Sequence, residues 1–198
     1  MSKCIIVGSG QSAKDFISPL DVDIIAVNNA ISRVANAKYW FTLDPANYNL
    51  KIINDKNIKA IKYVACPDSF NLPDDVIRCK RVENHNRSRV FNQNCYEYFL
   101  YQSKATLGLS LEHLHISTGN SSYGALNLAY HLGYKDIALI GIDGTDKTSL
   151  DNQTNTRGYI YLNELFDSVQ KDLGLNIVSL GELKSFPKMS LEEWLRGN

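Results

Sequence analysis

CIIVGSGQSA, residues 4–13, is four apolar residues that stop at a glycine, followed by a second glycine and a run of small polar groups. A short apolar run that ends abruptly in this way reads as a buried parallel strand rather than a half-exposed one. The pattern returns twice downstream. Residues 24–27 (IIAV) stop at Asn28-Asn29, and residues 39–43 (YWFTL) stop at Asp44-Pro45. The intervening segments have the size of crossover helices, so the N-terminal third reads as β-α-β-α-β.

Working outward, residues 61–65 and 76–79 are further strand candidates, with Pro67 and Pro73 breaking the chain between them. From 121 to 132 the apolar residues Ala125, Leu128, Ala129 and Leu132 recur on a helical period, and Gly133 follows as a C-cap. A strand over 137–140 runs into Gly141-Ile142-Asp143. A helix over 161–173, a strand over 177–179 and a short helix from Ser190 complete the chain. Residues 83–117, rich in Asn, Arg and Tyr, read as an insertion over the active face, helical around 94–103. At 198 residues one core is the default, so the expectation is a single α/β, Rossmann-like domain with a mostly parallel sheet.

Composition narrows the function classes. Net charge is zero, which gives no global pull toward nucleic acid or acidic lipid. Cys4, Cys66, Cys79 and Cys95 show no paired spacing, so reduced thiols in a cytoplasmic protein are expected, with no metal site. No apolar run has the length of a membrane span. Neither a nucleophile-elbow serine motif nor a Walker lysine is present.

Three constellations could carry chemistry. In the first, Gly8, Ser9, Gly10 and Ser12 follow the first strand, where glycines admit a phosphate close to backbone N–H groups and a helix N-terminus favours an anion. The alternative is that these glycines only shape a tight turn. A dinucleotide reading also needs an acid about 20 residues on, and Asn28 stands there, so NAD is not expected. The second is the strand-end set Asn28, Asn29, Asp44 and Asp143, since ligands of open parallel sheets bind beyond the carboxyl ends of the strands. Each of these alone could be a loop cap. The third is residues 117–122, STGNSS, where Asn120 and Ser121 either cap the following helix or grip a phosphate or ribose. The polar run 144–157 reads as a lid that closes over phosphates, with Arg157 at its end.

Taken in order, these pieces resemble a superfamily that includes the bacterial sialyltransferases of glycosyltransferase family 42 and the MptE-like pterin pyrophosphokinases, with phage and bacterial relatives. The matching stretches are IIVGSGQSAKDF (5–16), IIAVNNA (24–30), FTLDPANY (41–48) and STGNSSYGALNLAYHLGYKDIALIGIDG (117–144). The closing LGLNIVSLGELKSFPKMSLEEWL (173–195) is similar to the MptE-like tail; residues 54–115 are not covered. The resemblance implies nucleotide contacts by Ser9, Asn28, Asp44, Ser121 and Gly141, and donor-phosphate contacts by lid tyrosines at Tyr159 and Tyr161. It implies a nucleotide-sugar donor and a hydroxyl acceptor of open identity, with which a glycan or, as the lesser option, a hydroxymethylated base of phage DNA is compatible. A homo-oligomer is compatible.

The chain departs from the sialyltransferases in two ways. Ser9 and Asp44 replace asparagines, and no histidine follows His131, where the family places its general base. Asp143, Asp146 and His85 are the candidates to take an acceptor proton instead. Asp44 with Asp143 also suits a diphosphokinase using ATP and Mg²⁺. Loss of the histidine equally permits a nucleotide-binding protein without catalysis.

Overall fold

The structure, a computed structural model, describes residues 2–45, 48–147, 149–151 and 156–197, with the backbone alone at 156–158. Among these residues eight strands form one sheet in the order β6-β5-β4-β3-β2-β1-β7-β8, all paired in parallel. In chain order they are β1 (Lys3–Val7), β2 (Asp23–Val27), β3 (Tyr39–Thr42), β4 (Ile61–Ala65), β5 (Val76–Val82), β6 (His115–Ser117), β7 (Asp136–Ile140) and β8 (Asn176–Ser179). The expected α/β parallel sheet is present. β1 sits centrally between β2 and β7, so the direction of chain progression reverses at the β1/β7 boundary.

Successive residues of the central strands bury into opposite layers, as a period of two requires. Cys4 and Ile6 of β1, with Ile25, Val27 and Phe41, face a layer formed by α2 (Tyr96–Gln102), α3 (Ser121–His131) and α4 (Leu162–Asp167). Ile5 and Val7 face Ala13, Ala30 and Trp194 of α5 (Leu191–Arg196). Trp40 and Val64 pack on Ile52 and Ile53 of α1 (Tyr48–Asn54). Burial of a large apolar side chain such as Phe41 stabilises by about 2–3 kcal/mol.

α3 is buried from Tyr123 through Ala129, so it is a core helix rather than an amphipathic surface one. Asn127, fully buried within it, accepts from the amides of Ser110 and Ser117, both at 2.9 Å, and donates to the Ser110 carbonyl at 2.9 Å. One side chain thereby fixes α3 against the edge strand β6.

Three expectations change. Residues 83–117 form the β5-to-β6 crossover, contain α2, and end in a strand the sequence does not show, β6, whose three residues are too few for a periodic signal. The turns after β1 and β2 are 3-10 segments, Gln11–Ala13 and Asn28–Arg33, rather than crossover helices. The helix expected over 161–173 is interrupted, because Ser168 turns its hydroxyl onto the Leu165 carbonyl at 2.6 Å and shares a hydrogen bond with the Tyr123 hydroxyl at 2.9 Å.

Candidate functional site

The β1 turn is locked to the end of β7. Gly8 and Gly10 donate their amides to the carbonyls of Ile140 (2.8 Å) and Gly141 (2.7 Å). Asp143, buried beyond β7, accepts from the Ser12 amide at 3.0 Å with one oxygen and from the Ser12 hydroxyl with the other. Ser12 Oγ in turn accepts from the Gly141 amide at 2.9 Å. A Cβ at Gly10 would stand 2.5 Å from the Asp143 carboxylate and 2.8 Å from the Gly141 carbonyl. Gly141 itself has φ +68° and its Cβ would meet the Gly8 carbonyl at 2.4 Å. Close packing of two turns therefore accounts for the glycines, and three amides of the β1 turn are committed inside the protein.

The cleft opens beside this lock, at the topological switch point where open parallel sheets take their ligands. It encloses about 640 Å³, open solvent included, and its walls are the β1 turn, Asn28, residues 120–122, residues 141–145, Lys147, Ser149, Asp151 and Tyr159. The helix that points an N-terminus here is α3, eleven residues long. Its first turn carries no acidic residue, and the Asn120 side chain caps it by accepting from Ser122 N at 2.7 Å. The N–H groups of a first turn lack intrahelical partners and carry partial positive charge. Ser121 Oγ accepts from the Leu43 amide at 3.4 Å, tying this end to β3. By contrast, the three residues after Gly10 are too short to build a macrodipole.

The described part of the polar loop is held across the cleft mouth. Leu150 N donates to the Ser9 carbonyl at 2.8 Å. One oxygen of Asp151 accepts from Arg33 at 2.6 Å and from Asn29 at 2.7 Å, and Arg33 also donates to Ser9 Oγ at 2.9 Å. Burial alone would raise the Asp151 carboxyl, but hydrogen bonds from Arg33, Ser9 and Asn29 and the Arg33 charge hold it below the usual carboxylate range. Tyr159 is pushed the other way, first by burial and then by the charge of Asp151, so it stays a neutral phenol.

Compared with known protein families, curated proteins and solved structures, the chain matches none.

Of the sequence-predicted residues, Gly8, Ser9, Gly10, Asn28, Asn120, Ser121, Gly141, Asp143 and Tyr159 line one cleft. Ser12 and Asn29 stand behind its wall, bonded to Asp143 and Asp151. Others are placed elsewhere. Asp44 is exposed and does not line the cleft; its carbonyl accepts from Asn49 at 2.8 Å. Tyr161 packs among the rings of Tyr96 and Phe99 on α2, with centroids at 6.0 and 5.9 Å. Asp146 is exposed outside the lining. His85 lies in a separate groove with Cys66, Arg81 and His115, 3.3 Å from Glu83. The Arg157 side chain lies outside the described residues, as do residues 148 and 152–155 of the expected lid.

Sequence reasoning passed over Arg33, Lys147 and Asp151. Their signal was position: Lys147 and Asp151 fall within eight residues of a strand end already marked as a site, and Arg33 closes the turn begun by Asn28-Asn29. Among the described residues no group of three or more His, Cys, Asp or Glu is poised to hold a metal ion, and no helix is long and apolar enough to cross a membrane.

Proposed function

We propose that the cleft binds a nucleotide sugar and that the protein transfers the sugar to a hydroxyl acceptor. The observation that carries this reading is the start of α3, Asn120-Ser121-Ser122, sharing the switch-point cleft with Lys147. A donor phosphate seated there meets N–H groups, hydroxyls and one ammonium, and the same groups stabilise the charge that builds on it as the glycosidic bond breaks. Asn28, with φ +52° and its carbonyl held by the Trp40 indole at 2.8 Å, presents a fixed amide for a ribose or base edge. Asp143 is a positioning residue in this scheme, because both its oxygens serve Ser12.

The diphosphokinase reading needs two carboxylates to share Mg²⁺ with a triphosphate. Asp44 and Asp143 do not come together in one cleft, and Asp143 is already bonded through both oxygens, so this pair does not fit the ion. A binding protein without transfer chemistry is separated from a transferase by turnover.

Thermal-shift screening with CMP-, UDP- and GDP-sugars, followed by donor hydrolysis, tests the proposal. One donor class should raise the melting temperature of the wild type, and Lys147→Ala should weaken it about tenfold, the worth of one charge-assisted contact. Absence of any shift across the panel at millimolar donor would overturn it.

A further inference from the structure

We propose that Ser9, Asn29 and Arg33 form a second anion cradle, built for a phosphoryl group of the ligand, and that Asp151 occupies it as an internal stand-in. The inference rests on the cleft being the ligand cleft proposed above. The cradle comes from the turns after β1 and β2, whereas Asp151 comes from the loop after β7. Three donors converge on this one carboxylate, two of them at 2.6 and 2.7 Å on the same oxygen. The Asp151 side chain is only 8% exposed, although it belongs to a polar loop.

Position gives the cradle its function. Asp151 and Ser9 line the cleft, while Asn29 and Arg33 stand directly behind Asp151. Withdrawal of that one side chain would extend the cleft to a guanidinium, an amide N–H₂ and a hydroxyl. These are the donors that recognise a phosphoryl group, and a guanidinium exchanges a carboxylate for a phosphate without losing its charge-assisted bonds. Asp143 differs from Asp151 in this respect. It holds backbone and side chain of Ser12 deep in the turn, so it cannot leave without opening the fold. A ligand carrying two anionic groups would then place one at the start of α3 and one in the cradle. Binding exchanges Asp151 for that second group.

Isothermal titration of the full chain with sodium pyrophosphate tests the exchange. Both Asp151→Asn and Asp151→Ala should bind pyrophosphate at least about tenfold more tightly than wild type, because the competing charge is gone. Adding Arg33→Gln to either should return affinity to the wild-type level. Equal affinity in wild type and both Asp151 variants, or a gain that survives Arg33→Gln, overturns the proposal. So does loss of the native circular dichroism signal in both Asp151 variants, which would make the contact a structural tie. The two readings fail separately. Pyrophosphate binding that responds as stated, with no nucleotide sugar bound, removes the transferase reading and keeps the cradle. Nucleotide-sugar binding indifferent to Asp151→Asn does the reverse.

Discussion

The turn after β1 and the segment before α3 are both runs of glycine and small polar residues at strand ends, and they do opposite things. The first is largely consumed by the protein: the amides of Gly8, Gly10 and Ser12 and the Ser12 hydroxyl answer to Ile140, Gly141 and Asp143, and Asp143 and Asp151 flank it. The second opens an eleven-residue helix whose first turn has no acid. With Asp151 in place, a negatively charged ligand is repelled by the carboxylates at the first and attracted by the dipole at the second. Glycine spacing alone does not mark an anion site. The length of the helix beyond the glycines and the acids standing near them decide it.

The sharpest way to break this contrast is Gly141→Val. Positive φ and a Cβ pressed onto the Gly8 carbonyl combine strain and overpacking, a loss of about 4 kcal/mol read in urea unfolding. A variant as stable as wild type would show that the lock is loose. Asp143→Ala should cost about 2–3 kcal/mol by stranding the Ser12 amide and hydroxyl, and Asp143→Asn less. Stability unchanged by Asp143→Ala, with activity abolished, would return this carboxylate to a chemical role. On the α3 side, Asn120→Ala should cost only about 1 kcal/mol, the worth of one cap, and should weaken donor binding as well.

The smallest effect is a pH dependence. Asp151 is held below its ordinary carboxylate pKa of 3.8 and faces Arg33 and Tyr159. With the folded pKa depressed, its contribution is present above the unfolded value and lost as pH falls through the folded one. The stability gap between wild type and Asp151→Asn, under about 1 kcal/mol at pH 7 because its partner Arg33 is open to solvent, should therefore close on acidification below about pH 4. A gap that widens there would contradict the sign.

Much of the sheet is legible in the sequence because β1, β2, β3 and β7 are buried on both faces and stop at polar turns. β6 is not, since three residues carry no period and its place depends on Asn127 of a helix that comes after it in the chain. The candidate site is half legible. Gly8, Asn28, Asn120 and Gly141 stand at strand ends, where the topology gathers them. Asp44 also follows a strand end, but it is exposed and does not line the cleft, and its carbonyl accepts from Asn49. Arg33 and Asp151, 118 residues apart in the chain, carry no local signal of their pairing.

The bond between Ser12 and Asp143 spans 131 residues of chain. Loop closure on that scale comes late and slowly, after local helices and neighbouring strands have formed. We therefore expect the cleft to be among the last parts of the fold to form during refolding. A fragment ending before β7 would fold, if at all, without it. Recovery of ligand binding after dilution from denaturant should lag recovery of the helical signal, and the lag would time the docking of β7 against β1.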